Sequence, residues 1–124
     1  MNVWSRRLRG PRDPLFEAFN ASIREDRFLA GAEIAASAAY ARALAKASVL
    51  TASELDAILT GLERVRRRIA EGEDLDRFED IHSAVELLLT GEIGDAGRRL
   101  HTGRSRNEQV AVDERLYLKA EIPK

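Results

Sequence analysis

The sequence of 124 residues contains no cysteine, which excludes disulfide bonds and thiolate metal sites and is most easily reconciled with a reducing cytoplasm. It has no apolar run near the roughly 18 residues that a membrane span requires. Tryptophan occurs once and tyrosine twice, so no aromatic surface for stacking nucleic-acid bases is evident. Twenty basic and 21 acidic side chains nearly cancel. We therefore expect neither nucleic acid nor an anionic membrane as a partner.

Helical patterns predict an all-α fold in one domain, with about four helices of uneven length after an irregular N-terminal segment. An alanine-rich run without proline favours the first helix. The motifs TASE and SRNE are capping boxes at the starts of the second and fourth helices, and glycines are placed to end the second and third. We expect irregular structure over residues 1–24 and helices over residues 27–46, 51–71, 81–90 and 105–122.

The same patterns predict where apolar and acidic side chains lie. Phe16, Phe19 and Phe28 are expected in the core, and the last helix is expected to place Val112, Leu116 and Ala120 near one face. Residues 71–80 carry six acidic side chains and one arginine, which is typical of a hydrated connection.

The stretch 98–110, RRLHTGRSRNEQV, concentrates four arginines at the start of the last helix. The first turn of a helix exposes backbone N–H groups and the positive end of the helix dipole, so it favours an anion. A glycine allows a ligand to approach the backbone closely. An anion pocket and a solvated turn both remain open on these grounds, and Ser105 is fully explained as a helix cap. The donors are Thr102, Arg104, Ser105, Arg106 and Asn107.

The two histidines give a weaker signal. His82 and His101 have no companions at metal-ligand spacing, so we expect no metal. Each imidazole is able to serve as a general acid or base, because it titrates near neutrality. A structural hydrogen bond is the commoner role for a lone histidine beside a helix start.

Several motifs resemble one enzyme family. LHTGRSRNEQV at 100–110 is similar to the LHTGRSRNDQV signature of the argininosuccinate lyase family, in the fumarase/aspartase superfamily. Four further segments resemble the family in the same order. These are DPLFEAFNASI at 13–23, YARAL at 40–44, LTASELDAILTGLERV at 50–65 and EDIHSAVE at 79–86.

The resemblance implies the N-terminal helical domain of the fumarase/aspartase-type fold over residues 1–104, with residues 105–124 beginning the first central helix. It also implies a reversible β-elimination of argininosuccinate to arginine and fumarate, without cofactor or metal, in a full-length homotetramer. Residues carried over as substrate-binding are Ser22, Ser105, Arg106 and Asn107, and those with supporting roles are His82, Thr102 and Arg104.

The chain also departs from the family. It has WSRRLRG where the family has a WGGRF-like segment, and it has Val85 and Glu108 where the family has asparagine and aspartate. The family's THLQ-type and SSxMPxKxN motifs, which carry the catalytic histidine and serine, do not occur. We therefore expect the chain to be a truncated lyase with no catalytic residue and no activity of its own. The alternatives are a stand-alone module that binds a dicarboxylate or a helix bundle, and a phosphate or RNA contact.

Overall fold

The computed structural model describes residues 13–123, and the arginine-rich segment 6–12 with the WSRRLRG departure lies outside that range. The described part of the chain is all-α, as the sequence predicts, and contains no strand. None of its helices is long and apolar enough to cross a membrane. The helices are α1 (Pro14–Asn20), α2 (Ile23–Asp26), α3 (Ala30–Lys46), α4 (Ala52–Ala70), α5 (Ile81–Ile93), α6 (Asp95–Arg99) and α7 (Arg106–Glu121), and a 3-10 turn (Arg27–Leu29) joins α2 to α3.

The four predicted helices correspond to the four longest ones, α3, α4, α5 and α7. Of the expected irregular segment 1–24, residues 1–12 lie outside the described residues. Over residues 13–24 the expectation was wrong, because Pro14 occupies the first turn of α1, where proline is favoured. The Asp13 side chain caps this helix by accepting a hydrogen bond of 2.7 Å from the Leu15 N–H. The predicted end of α5 at Gly91 was also wrong. The helix continues to Ile93 and ends at Gly94, whose φ of 71° favours glycine.

The core lies between α3, α4 and α5. Gly61 of α4 permits the close approach of α5, since a Cβ atom there would lie 2.7 Å from the Leu89 Cδ1 atom. This contact fixes the spacing of the two helices. The most deeply buried large apolar side chains are Ile58, Leu62, Val65, Ile81, Val85 and Leu89.

Helix α7 packs against α3 through polar side chains. Its buried residues are Gln109 and Asp113, whereas Val112, Leu116 and Ala120 are exposed. These three apolar residues, spaced four apart on the helix, lie near one face as expected, and that face is exposed. The physical reason is that α3 presents Glu33 to α7, so a polar face of α7 is the complementary one.

The phenylalanines also lie outside the core. Phe16, Phe19 and Phe28 are all more than half exposed, with Phe19 at 86%, so the prediction of core positions was wrong. Helix α1 buries none of its residues. The Phe28 ring contacts the ring of Tyr117 on α7, with 5.0 Å between centroids.

The acidic connection between α4 and α5 is anchored rather than fully hydrated. Leu75 and Phe78 are buried within it. The Glu73 carboxylate lies 2.8 Å from the Arg68 guanidinium of α4. Asp80 caps α5 by accepting a 2.6 Å hydrogen bond from the Ser83 N–H. These contacts set the position at which α5 begins.

Removing the cap of α4 should have a measurable cost. The Thr51 hydroxyl accepts a hydrogen bond from the Glu54 N–H, and the Glu54 carboxylate accepts one from the Thr51 N–H. Thr51→Ala should lower the free energy of unfolding by about 1 kcal/mol, measured by urea denaturation. Thr60→Ala, at an exposed position within the same helix, is the control and should change it by less than about 0.5 kcal/mol. Equal effects of the two substitutions would contradict the capping role.

Candidate functional site

The start of α7 has the capping box that the sequence predicts. The Ser105 hydroxyl accepts a hydrogen bond of 3.2 Å from the Asn107 N–H, and the Glu108 carboxylate accepts one of 3.0 Å from the Ser105 N–H. The glutamate at 108 therefore serves as the capping acid. The Asn107 residue is exposed on the first turn of the helix. The residue therefore lies at the positive end of the helix dipole, which favours an anion.

The loop that precedes α7 is held against α3. The Tyr40 hydroxyl donates a 2.7 Å hydrogen bond to the Thr102 carbonyl oxygen, and the Thr102 hydroxyl donates one of 2.7 Å to the Arg99 carbonyl oxygen. Gly103 has a φ of 68°, which a residue with a side chain rarely adopts. The Arg104 guanidinium lies over the Tyr40 ring, 5.1 Å from its centroid. Thr102 thus contributes to the shape of the loop.

The side chains of Arg104 and Arg106, beside the start of α7, point into the protein rather than into solvent. The Arg104 side chain is only 7% exposed, and it donates a 2.9 Å hydrogen bond to the Ser37 hydroxyl of α3. Arg106 donates to the Gln109 side-chain oxygen at 3.0 Å and to the Ser83 hydroxyl at 3.4 Å. The structure therefore brings Arg106 to the start of α5.

Three buried ionisable side chains meet between α3, α5 and α7. The His82 Nδ1 atom lies 2.8 Å from a Glu33 carboxylate oxygen and 3.2 Å from an Asp113 carboxylate oxygen. Glu33 also accepts hydrogen bonds from the Ser37 hydroxyl at 2.7 Å and from the Gln109 amide at 3.0 Å. We call Glu33, His82 and Asp113 the buried triad.

The environment of the triad shifts all three protonation equilibria. Burial opposes the charged form of His82, but hydrogen bonds to Asp113 and Glu33 outweigh it and raise the pKa of His82 to about 9. Burial likewise opposes ionisation of Glu33, but the hydrogen bond to His82 dominates among the interactions that lower its pKa to about 2. Burial and the neighbouring Glu33 charge raise the pKa of Asp113 to about 7. Near neutral pH the triad thus combines an imidazolium, a carboxylate and a partly protonated carboxyl group.

Among the described residues, the buried triad is also the group whose side chains could hold a metal ion. One ligand atom from each lies within 4.8 Å of the others. The 2.8 Å distance is that of a hydrogen-bonded ion pair between His82 Nδ1 and Glu33, and Asp113 lies 3.2 Å from the same nitrogen as a second anionic neighbour. The Arg104 guanidinium lies 3.9 Å from Glu33 and already places a positive charge beside it. The imidazolium therefore accounts for this geometry better than a bound cation does.

Sequence reasoning found His82 but missed its two partners, which lie on other helices. A signal was present in the pattern of polar residues. Glu33 and Ser37 are four residues apart, as are Gln109 and Asp113, so each pair forms a polar stripe on one helix face. On α3 the other residues are mostly small or apolar, so its polar pair indicates a polar interface, whereas α7 carries many other polar residues and its pair gives no clear signal.

Ser22 lies at the other side of the α5 start. It is exposed, and its N–H donates a 2.8 Å hydrogen bond to the Glu79 carbonyl oxygen. Its hydroxyl donates one of 2.8 Å to Asp26, whose second carboxylate oxygen accepts a bond of 3.1 Å from the Ile81 N–H. Burial raises the pKa of Asp26. The segment that ends in FNASI is therefore attached to the start of α5.

The region around the start of α5 thus connects three of the motifs singled out in the sequence. FNASI is attached through Ser22 and Asp26, EDIHS forms the first turn of α5, and GRSRN contacts Ser83 through Arg106. Asn107 and Ser22 are both exposed, and in this structure the Ser22 hydroxyl donates to Asp26. The arrangement suits recognition of a carboxylate or another oxyanion.

The described part of the chain is all-helical, with arginines anchored at a helix start and these three motifs joined around α5, and the comparison with known families identifies the class as a lyase. The chain belongs to the lyase family, whose model matches residues 6–124. It is 51% identical over its whole length to the argininosuccinate lyase of Thermoanaerobacter sp. (strain X514), covering 28% of that protein. It is 48% identical to the argininosuccinate lyases of Moorella thermoacetica and Geobacter sulfurreducens, over 99% and 97% of the chain and 27% of each relative. The chain therefore spans little more than a quarter of the length of these relatives.

The triad should make stability depend on pH. The pKa of His82 rises from 6.5 to about 9 on folding, so its contribution is fully present below pH 6.5 and is lost as pH rises through 9. The raised pKa of Asp113 also makes the free energy of unfolding fall as pH rises, between about pH 4 and 7. The lowered pKa of Glu33 has the opposite effect, and its contribution to stability is lost only as pH falls below 4.5. The free energy of unfolding should therefore fall by about 2 kcal/mol between pH 6.5 and 9.

Urea denaturation at a series of pH values measures this dependence. The His82→Gln variant removes the titrating imidazole and should flatten the profile above pH 6.5. A variant with the same slope as the unmodified chain would show that another group is responsible.

Proposed function

We propose that this chain supplies the N-terminal part of an argininosuccinate lyase, which splits argininosuccinate into arginine and fumarate. The observation that carries the proposal is the match along the whole chain to relatives named argininosuccinate lyase, at 48 to 51% identity. The same names support this function over that of a stand-alone binding or interaction module. Arginine biosynthesis is the corresponding cellular role.

The chemistry of the proposed reaction explains the kind of site that is needed. Removal of a proton next to a carboxylate gives a carbanion, and donors aimed at the carboxylate oxygens stabilise the developing charge. We assign Asn107 and Ser22 to this role, supported by their exposed positions on either side of the α5 start. To donate to the ligand, the Ser22 hydroxyl would exchange its hydrogen bond to Asp26 for one to the carboxylate. Arg106 and Ser105 are assigned to the same carboxylate pocket. His82, Thr102 and Arg104 support it from within the protein.

We assign no proton transfer to a residue of this chain. His82 is buried and paired with two carboxylates, and this environment favours a structural role over a catalytic one. The proton-transferring groups would belong to other segments of the enzyme. We further propose a cytoplasmic homotetramer in which residues 105–124 begin a central helix. The exposed apolar side chains of α7, among them Val112 and Leu118, support such an assembly.

Titration of the isotopically labelled chain with argininosuccinate, followed by NMR, tests the proposed pocket. Amide signals at the start of α7 and around Ser22 should shift. Asn107→Ala and Ser22→Ala should each weaken binding by about tenfold, since each removes a hydrogen bond to a charged group. Ser53→Ala, at an exposed position in the first turn of α4, is the control and should leave the affinity unchanged. An affinity unaffected by both site variants would refute the assignment.

A further inference from the structure

We propose that Glu33 is a positioning residue that orients both arginines of the GRSRN loop through two separate relays, one through Ser37 and one through Gln109. The consequence for ligand binding rests on the proposed function, whereas the relays themselves are independent of it. The contacts of Glu33 with these two residues and with His82 account for both of its carboxylate oxygens.

The first relay has only one possible direction. The Ser37 hydroxyl donates its single proton to Glu33 at 2.7 Å, which leaves its oxygen to accept from Arg104 at 2.9 Å. A carboxylate only accepts and a guanidinium only donates, so neither end of the relay is able to reverse. The charge of Glu33 therefore determines which way the hydroxyl points and where the Arg104 fork is held.

The second relay follows the same logic with an amide in place of the hydroxyl. The Gln109 NH₂ group donates to Glu33 at 3.0 Å, so its carbonyl oxygen faces the opposite way and accepts from Arg106 at 3.0 Å. If the amide were rotated, its NH₂ group would face the guanidinium, which has no acceptor. Glu33 thus fixes the orientation of Gln109, and through it that of Arg106.

Burial makes both relays sensitive to the chemistry at residue 33. Glu33, Ser37 and Gln109 are almost completely buried, so water is poorly placed to replace a lost acceptor. Arg104 and Arg106 lie on either side of Ser105, the residue that caps α7. The two held arginines therefore flank the start of the helix on which Asn107 is exposed.

The substitution Glu33→Gln tests the relays, because it keeps the shape of the side chain and replaces one accepting oxygen by a donating NH₂ group. The readout is the side-chain NMR signals of the arginines in the ligand-free chain, which are separate and sharp when a guanidinium is held rigidly. In Glu33→Gln the signals of both Arg104 and Arg106 should broaden or merge. Glu86→Gln is the matched control. Its carboxylate lies 3.9 Å from Arg106 but belongs to neither relay, so this variant removes a nearby charge and should leave the Arg104 signals unchanged.

Two further variants keep the test decisive if Glu33→Gln does not fold. Ser37→Ala should release Arg104 and leave Arg106 ordered, whereas Gln109→Ala should do the reverse. Loss of both arginine signals in each single variant would overturn the proposal, because it would indicate general loosening of the α3–α7 interface. Unchanged signals of both arginines in a folded Glu33→Gln variant would also overturn it.

Binding of argininosuccinate distinguishes this inference from the proposed function. If both are correct, Glu33→Gln weakens binding by about tenfold although Glu33 is too deeply buried to touch the ligand. If the unmodified chain shows no binding at all, the proposed pocket fails, and the arginine signals still decide the role of Glu33. If the arginines reorient and binding is unaffected, the link between the relays and the pocket is refuted.

Discussion

Replacing His82 by leucine should lower the free energy of unfolding by about 3 to 5 kcal/mol at pH 7. The substitution removes the imidazolium that pairs with Glu33 and Asp113, and it leaves two carboxyl groups in the protein interior with only Arg104, 3.9 Å from Glu33, as a nearby cation. An uncompensated buried charge is among the most destabilising single changes in a small domain. Urea denaturation followed by circular dichroism measures the difference.

Two control variants separate this effect from the general loss of a histidine. His101→Leu affects an imidazole that is partly exposed and lies 3.4 Å from Glu86, and it should cost less than about 1 kcal/mol. Asp113→Asn should be milder than His82→Leu, because the raised pKa of Asp113 already favours a neutral group at this position. A His82→Leu variant that loses less than about 1 kcal/mol would contradict the ionic description of the buried triad.

Leu89→Ala should lower the free energy of unfolding by about 2 to 5 kcal/mol. Leu89 is completely buried on α5, and its Cδ1 atom lies where α4 approaches most closely at Gly61. Truncation removes apolar contacts and leaves a cavity. Helices α4 and α5 move together only in part to close it, because the connection between them is anchored. The same denaturation experiment measures the loss.

Leu118→Ala is the matched control, since Leu118 is 51% exposed on α7 and should lose less than about 1 kcal/mol. A second test uses Gly61→Ala, which forces a Cβ atom against Leu89 in the unmodified chain. This substitution should be less costly in the Leu89→Ala background, where the space is free and alanine favours the helix. Strict additivity of the two changes would show that the two residues are not in contact.

The long helices could be predicted from the sequence because their signals are local. The capping boxes at Thr51 and Ser105 and the alanine-rich run of α3 depend only on residues within one or two turns. Helix α1 was missed because Pro14 was read as a breaker, although it stands at the first turn. The exposed phenylalanines could not be anticipated, since hydrophobicity alone does not show whether a short helix finds a surface to cover.

Part of the candidate site could likewise be predicted from the sequence and part could not. The resemblance of GRSRN and FNASI to a family supplied Asn107 and Ser22, and local chemistry explained the helix cap. The triad could not be found from spacing, because Glu33, His82 and Asp113 lie on three different helices. Only the packing of α3 against α5 and α7 brings them within hydrogen-bonding distance. The inward direction of Arg104 has the same origin, since it depends on the position of Ser37 in the folded chain.

A chimaeric enzyme tests most directly whether this chain supplies the carboxylate-binding part of an argininosuccinate lyase. Residues 1–124 would replace the matching segment of the Thermoanaerobacter sp. argininosuccinate lyase, and release of fumarate from argininosuccinate would be measured. We expect an active chimaera whose kcat/KM falls by about a hundredfold with Asn107→Ala, because a donor to the developing charge is lost. A folded chimaera without activity, or one that Asn107→Ala leaves unchanged, would contradict the proposed role of the chain.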